Sequence, residues 1–170
     1  MRPHPRAYEP LHFGRSGGGR FDDPLGLYGV LYLAEDEFGA FVESFGRSPD
    51  TNIVALEEIR VRLLCRISAR HQLRLVDLTG PGARRLGATG ELSTAEHEMS
   101  QRWSRALHDH PECPDGFRYR LKHDLSKVGA AVFDRVEAAT FTRDDLGSLA
   151  DFGSERLLGK ILDEYAFELC

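Results

Sequence analysis

The stretch from Phe13 to Arg47, FGRSGGGRFDDPLGLYGVLYLAEDEFGAFVESFGR, decides the fold of this chain. Its run Tyr28–Ala34 is almost continuously apolar, which is typical of a buried strand. Behind that run, apolar residues recur at helical spacing and form one face: Phe38, Phe41, Val42 and Phe45. Asp36 is placed to cap this helix. The stretch therefore predicts a glycine-rich loop, a turn, a buried strand and a helix, in that order.

Downstream of this stretch, the sequence predicts further strands. The alternation of apolar residues with arginines from Ile59 to Ile67 indicates a half-buried strand. Leu73–Leu78 indicates another, which Gly80-Pro81-Gly82 ends. Phe117–Lys122 and Val128–Phe133 have the pattern of paired strands across a turn near Asp124.

Two more helices are predicted in the second half of the chain. Ser93 and Glu96 have capping-box spacing, and the following helix has an apolar stripe of Met99, Trp103, Ala106 and Leu107. A last helix begins at Ser154 and buries Leu157, Leu158, Ile161, Leu162 and Tyr165, before a short strand, Ala166–Leu169. Strands and helices mix without regular alternation, and no dinucleotide-binding glycine motif follows a strand. We therefore predict an α+β fold with a mixed sheet core and flanking helices.

Length and composition favour one globular domain of 170 residues. We predict an extended N-terminal arm and glycine-rich loop over residues 1–19 and the domain proper over 20–170. A net charge of −5 argues against a broad basic surface for nucleic acid, and the arginines from Arg60 to Arg74 are interpreted as a solvated face. Three widely spaced cysteines suggest no disulfide framework, and no apolar leader or membrane span is evident. These features together favour a cytoplasmic protein.

The glycine-rich stretch carries the residues most suited to chemistry. Backbone N–H groups of Gly17–Gly19 are able to approach a phosphate, with Arg15 or Arg20 adding a charged fork. Taken alone, the loop is more typical of a flexible surface loop with a solvated arginine, because short glycine runs are common. Glu43 alone is typical of a solvated glutamate, and Tyr32 of a core aromatic.

The order of these motifs resembles the RES-domain family, toxins of bacterial toxin–antitoxin pairs. The resemblance is carried by Gly19-Arg20-Phe21, Asp22-Asp23-Pro24, Val30–Ala34 and Glu43. It continues at Leu75–Gly80, Asp115–Tyr119, Ala131–Arg135 and Ile161–Tyr165, so that it covers nearly all of the chain after about Leu11.

The resemblance implies an ADP-ribosyltransferase-like fold that binds NAD in a cleft and breaks the bond between nicotinamide and ribose. Arg20 would hold the pyrophosphate, Phe21 and Tyr32 would contact the dinucleotide, and Glu43 would stabilise the ribosyl cation. Phe21 and Phe41 are expected to form an apolar wall of the site. No metal is required. The resemblance also implies a cognate antitoxin with a helix-turn-helix domain, which covers the active site, and a possible homodimer.

One position departs from the family pattern. The family serine follows the Asp-Gly turn in a YxSR-like phrase, whereas this chain reads Tyr119-Arg120-Leu121-Lys122. Leucine donates no hydrogen bond, which leaves Lys122 or His123 as substitute donors and binding residues. The alternative is a divergent member with weakened catalysis that acts by binding NAD or a partner.

Three other interpretations are open on the sequence. His108, His110 and Cys113, with His97 or His123, form a weak zinc pattern. Cys113 beside His110 is a remote candidate for a nucleophile pair. A non-enzymatic interaction domain would present the apolar stripes of the Trp103 helix and the last helix to a partner, although such stripes are usually core.

Overall fold

Nine strands and six α-helices make up the described part of this computed structural model, residues 1–46 and 52–170. Arg47, at the end of the stretch quoted first, lies outside the described residues. The strands are β1 Arg2–Pro5, β2 Val30–Ala34, β3 Ile53–Val54, β4 Arg62–Ala69, β5 Leu75–Asp77, β6 Gly116–Arg120, β7 Val128–Phe133, β8 Phe141–Asp145 and β9 Glu168–Leu169. The helices are α1 Glu37–Phe45, α2 Leu56–Arg60, α3 Pro81–Leu86, α4 Glu91–Thr94, α5 His97–His108 and α6 Glu155–Tyr165.

The central sheet has the order β2-β7-β6-β5. Only its β5–β6 pair is parallel among the strands described, and its other pairs are antiparallel. Phe117 lies opposite Ala131 in the β6–β7 hairpin, as the paired-strand pattern predicted. The predicted α+β fold with a mixed sheet is confirmed.

A second sheet, in the order β1-β4-β8, lies beside the first and includes the start of the chain. Strand β1, within the predicted N-terminal arm, pairs with β4 so that His4 lies opposite Leu63. The backbone N–H of Ala34 donates to the carbonyl of Met1 over 2.9 Å, which joins β1 to the end of β2. The first residues of the chain are thereby held close to the strand that carries Tyr32.

Helix α1 forms where the sequence predicted it. The Asp36 carboxylate accepts the N–H of Gly39 over 2.7 Å and caps the helix, which satisfies one of the free donors at its N-terminus. Phe41 is fully buried, and its ring contacts those of Phe45 and Phe167. Burial of this face orients the rest of the helix, including Glu43, relative to the central sheet.

Two local predictions were wrong, and a third segment does more than was predicted. The strand predicted from Ile59 begins only at Arg62, because Ile59 is buried inside the short helix α2. Ser93 caps nothing, since it lies within α4, and α5 begins after Glu96 without a side-chain cap. Gly80-Pro81-Gly82 ends β5 and also starts a helix, in which Pro81 takes the first-turn position that proline tolerates.

The buried face of α5 also differs from the predicted apolar stripe. Met99 and Ala106 are exposed, whereas Leu107 is buried and Trp103 packs against the core as predicted. Ser100 and Ser104 are buried as well, which the sequence did not predict. This helix packs a polar face against the glycine-rich loop and α4, where the Ser104 hydroxyl donates to the carbonyl of Phe21 and the Ser100 hydroxyl to that of Leu92. In α6, by contrast, Leu158 and Ile161 are buried as predicted. No helix among the described residues is long and apolar enough to span a bilayer.

Candidate active site

A cavity of about 540 Å³ opens between the two larger sheets, the glycine-rich loop and α1. Its volume is in the range of about 300–1,000 Å³ that is common for ligand pockets. It is lined by Met1, Arg2, Pro3, Gly18, Gly19, Arg20, Tyr32, Ala34, Ala40, Glu43, Ser44, His97, Tyr119, Leu121, Lys122 and His123. Sequence elements far apart in the chain thus meet at one site. Glu43 is the one carboxylate among these described lining residues, beside two arginines, a lysine and two histidines.

The glycine-rich loop is held over the cavity by the buried carboxylate of Asp22. This carboxylate accepts the N–H of Gly19 over 2.9 Å and the hydroxyls of Ser16 and Tyr32 over 3.0 and 2.8 Å. The Tyr32 hydroxyl accepts in turn the N–H of Phe21 over 2.9 Å. A Cβ on Gly19 would lie 2.6 Å from Asp22 Oδ1, so the loop requires glycine at that position. Tyr32 therefore offers its ring to the cavity and uses its hydroxyl to hold the loop.

Arg20 is anchored by the start of α5. Its Nη1 donates to the carbonyl of Ala95 over 2.7 Å and lies 3.4 Å from the hydroxyl of Ser100. The fully buried Ser100 hydroxyl donates onward to the carbonyl of Leu92 over 2.8 Å. Burial lowers the pKa of the Arg20 guanidinium, and the charge of Glu43 acts in the opposite direction. These contacts fix the orientation of a cation at the cavity.

The polar face of α5 binds the backbone of the same loop. The Gln101 amide nitrogen donates to the carbonyls of Gly17 and Gly19 over 3.0 and 3.1 Å. The Ser104 hydroxyl donates to the carbonyl of Phe21 over 2.7 Å. These are buried or half-buried hydrogen bonds, each with a net stabilisation of about 1 kcal/mol. The loop is consequently preorganised rather than free.

Asp23 completes the attachment of the loop to α5. Its side chain is fully buried, forms an ion pair with Arg105 and accepts the N–H of Leu27 over 2.7 Å. Burial acts to raise the pKa of this carboxyl, but the hydrogen bonds from Leu27 and Arg105 outweigh it and hold the pKa below its ordinary value. The charged form of Asp23 is therefore the native one at neutral pH.

Glu43 enters the cavity from α1, opposite the loop. Its Oε1 accepts the backbone N–H of His123 over 3.0 Å. The charges of both Glu43 and Arg20 act on the Tyr119 hydroxyl, whose pKa is raised chiefly by burial and further by Glu43, while Arg20 lowers it. A carboxylate and a guanidinium thus line one cavity, and both are close enough to the Tyr119 hydroxyl for their charges to act on it.

Leu121, which the sequence predicted to stand in place of the family serine, lines the cavity. It is 1% exposed. A Cβ on Gly39 would lie 2.7 Å from Leu121 Cδ1, and a Cβ on Gly129 would lie 2.6 Å from Leu121 Cδ2. The two glycines therefore make room for the leucine. The predicted substitutes, Lys122 and His123, both line the cavity, and the donor that reaches Glu43 is the main chain of His123.

Some predicted contributions to the site are not found at the cavity. Phe21 and Phe41 are fully buried in the main hydrophobic cluster and do not line it, because their rings complete the core beneath the loop and α1. Arg15 forms an ion pair with Asp134 instead, which leaves Arg20 as the loop arginine of the site. The N–H of Gly18 donates to the Ser16 hydroxyl over 3.3 Å and that of Gly19 to Asp22, so neither amide is presented to a phosphate.

The rival sites predicted around His108 do not come together. The His108 ring stacks on Tyr28 with centroids 4.0 Å apart. His110 Nδ1 accepts the N–H of Glu112 over 3.2 Å. Within residues 1–46 and 52–170, no three His, Cys, Asp or Glu side chains are grouped to hold a metal ion.

Several residues of the site were not predicted from the sequence. Tyr119 lies on the same face of its strand as Phe117 and Leu121, and this period-two spacing was the available signal. Asp22 belonged to a turn motif of the resemblance but was given no role in the site. Ser100 and Gln101 gave no signal, since polar residues on a helix are ordinarily solvated.

Comparison with known proteins gives a consistent result. A sequence model of the RES domain matches residues 1–145. A protein of Sinorhizobium fredii described as "Probable toxin y4kH" is 30% identical over 117 residues, which cover 68% of this chain and 89% of that protein. The crystal structure of the M. tuberculosis MbcT–MbcA toxin–antitoxin complex includes a chain of similar fold, with a TM-score of 0.66 and 22% identity over 86% of this chain and 82% of that one.

Proposed function

This chain belongs to the RES-domain family, and on that premise we propose that it is the toxin of a toxin–antitoxin pair and acts by cleaving NAD between nicotinamide and ribose. One observation carries the proposal. Arg20 and Glu43, which are 23 positions apart in sequence, line one cavity whose other charged lining residues are cationic. Such a cavity suits a substrate with an anionic pyrophosphate and a glycosidic bond that breaks through a cation.

Six of the lining residues have proposed roles that their place at the cavity supports. Arg20 binds the pyrophosphate, with Lys122 and His123, which line the same cavity, as further donors. Tyr32 and Tyr119 offer ring faces to the base or the ribose. Glu43 stabilises the positive charge that develops on the ribose as the bond breaks.

The reaction proposed is a substitution at the anomeric carbon of the nicotinamide ribose. The carbon–nitrogen bond breaks, and nicotinamide leaves as a neutral molecule with the electron pair. The oxygen of water, phosphate or a protein side chain then bonds to the same carbon and releases its proton to solvent or to a base. The three acceptors give ADP-ribose, a phosphorylated ADP-ribose and an ADP-ribosylated protein, which mass spectrometry distinguishes.

The partner we propose is a cognate antitoxin of helix-turn-helix type that covers the cavity. A neighbour of similar fold is the toxin of a toxin–antitoxin complex, which supports a protein partner. An antitoxin bound at the cavity mouth would block the entry of NAD without altering the fold of the toxin. A homodimer and a cytoplasmic location remain predictions of the sequence.

Expression in a bacterial host tests the proposal. We expect wild type to arrest growth and lower cellular NAD, and Glu43→Gln to do neither. Glu57→Gln is the matched control, because Glu57 is 73% exposed and its ion pair with Arg60 contributes less than about 1 kcal/mol. Growth arrest with an unchanged NAD pool would contradict NAD cleavage. Arrest by Glu43→Gln would contradict the role given to Glu43.

A further inference from the structure

We propose that the turn between β6 and β7 positions Glu43 through the main-chain N–H of His123, so that the leucine at position 121 leaves the site competent. This inference rests on the proposed function for its consequence in catalysis. Its structural core is the 3.0 Å hydrogen bond from the His123 amide to Glu43 Oε1. A backbone donor to a carboxylate is charge-assisted and stronger than a neutral hydrogen bond.

The turn is shaped from within by residues 121–127. The N–H of Leu121 donates to the carbonyl of Lys127 over 3.1 Å, and the N–H of Lys127 donates back to the carbonyl of Asp124 over 3.0 Å. The Asp124 carboxylate accepts both the N–H and the hydroxyl of Ser126, over 2.9 and 2.6 Å. These bonds close the turn and fix the direction of the peptide that precedes it.

The turn is also attached to both helices that flank it. Lys127 Nζ lies 2.8 Å from the carboxylate of Asp36, the residue that caps α1. The Tyr165 hydroxyl at the end of α6 donates to Asp124 Oδ2 over 2.9 Å. Both attachments lie outside the residues that line the cavity. The His123 amide is therefore held toward α1 by contacts independent of any ligand.

Leu121 contributes to this arrangement by packing. Its methyls fill the space above Gly39 of α1 and Gly129 of β7, which brings the turn against the helix that carries Glu43. A serine at position 121 is one way to orient a carboxylate, through a side-chain hydroxyl. In this chain the main-chain N–H of His123 provides the donor to Glu43, and the side chain of Leu121 packs the turn against α1.

Amide hydrogen exchange of the full chain, measured residue by residue by NMR, tests the positioning directly. We expect the His123 amide to exchange slowly in wild type and at least about tenfold faster in Glu43→Ala, which corresponds to an opening free energy lower by about 1.4 kcal/mol. The Leu121 amide, bonded to Lys127, is the internal reference and should stay protected. Glu57→Ala should change neither. Equal protection of the His123 amide in Glu43→Ala and wild type would overturn the proposal.

Steady-state kinetics test the consequence for catalysis. Tyr165→Phe removes the hydroxyl that holds Asp124, so we expect kcat for nicotinamide release to fall by about three- to tenfold with KM unchanged. Tyr8→Phe is the matched control, since Tyr8 is 69% exposed, and should leave both constants unchanged. A higher KM with unchanged kcat, or no change at all, would refute positioning by the turn. If wild type releases no nicotinamide, the proposed function fails, and the exchange measurement still decides the positioning.

Discussion

Replacement of Leu121 by the serine of the family pattern is the most informative perturbation of this chain. The side chain is 1% exposed, and its methyls fill the space above Gly39 and Gly129. Serine is too short to fill that space, and its hydroxyl would be buried beside the cavity that the two methyls leave. If the leucine is an integrated part of the site, Leu121→Ser should destabilise the fold and fail to increase activity.

The expected magnitude follows from burial. Truncation of a buried leucine to alanine costs about 2–5 kcal/mol, and a buried hydroxyl without a partner adds about 1–3 kcal/mol when no water reaches it. We expect Leu121→Ser to lower the free energy of unfolding by about 4 kcal/mol. For a domain of this size the Tm should fall by about 8–16 °C. The usual stability of about 5–15 kcal/mol leaves the variant folded at 25 °C.

A second substitution turns this into a test of the contact itself. A Cβ on Gly39 would lie 2.7 Å from Leu121 Cδ1, so Gly39→Ala alone should destabilise by about 1 kcal/mol, as strain exceeds the gain in helix propensity. In the Leu121→Ser background that methyl is absent. There, Gly39→Ala should stabilise by about 1 kcal/mol, which gives a coupling of about 2 kcal/mol between the two positions.

Urea unfolding of wild type, Leu121→Ser, Gly39→Ala and the double variant measures the free energies of unfolding and hence the coupling. Nicotinamide release by the same samples measures activity. Additive effects of the two substitutions would refute the packing argument. A Leu121→Ser protein as stable as wild type would refute it as well. Higher turnover by Leu121→Ser would show that Glu43 lacks a donor in the native chain, contrary to the role of the His123 amide.

Three further outcomes test the loop and its attachment. Gly19→Ala places a Cβ 2.6 Å from the Asp22 carboxylate and disturbs the hydrogen bonds that hold the loop, so KM for NAD should rise about tenfold and the Tm should fall by about 2–4 °C, as measured by steady-state kinetics and thermal melting. Gln101→Ala releases the loop carbonyls from α5, and isothermal titration should show NAD affinity about three- to tenfold lower; unchanged affinity would argue that the loop is rigid without α5. Asp23 has a depressed pKa in the folded state, so its contribution to stability is present above about pH 4 and is lost as pH falls through that folded pKa. Urea unfolding from pH 7 to pH 3 should therefore show a stability difference between wild type and Asp23→Asn that is constant down to about pH 5 and shrinks below about pH 4.

The parts of the fold that the sequence predicted are those with a local physical signature. The buried strand before α1 is an almost continuous apolar run, and the capped helix and the β6–β7 hairpin have apolar patterns typical of their structure. Arg20, Tyr32 and Glu43 were selected from the order of their motifs, and the structure brings all three to one cavity. Their catalytic roles remain predictions.

The remainder of the site depends on contacts that leave no pattern in the sequence. The buried face of α5 includes polar residues because its partner is a loop backbone, so only part of the predicted apolar stripe, Trp103 and Leu107, packs inward. Phe21 follows Arg20 directly, and only the tertiary fold shows that its ring faces the core. The donor to Glu43 is the main-chain N–H of His123, and a main-chain donor cannot be recognised from the type of residue in the sequence.

Nicotinamide release from NAD by the purified protein tests the central claim most directly. We expect wild type and Glu57→Gln to release one nicotinamide for each NAD lost, and Glu43→Gln to do so at least about a hundredfold more slowly while it remains folded. That result would place the chemistry at the cavity shared by Arg20 and Glu43. Folded wild-type protein that releases no nicotinamide, or a Glu43→Gln variant that releases it at the wild-type rate, would contradict the account.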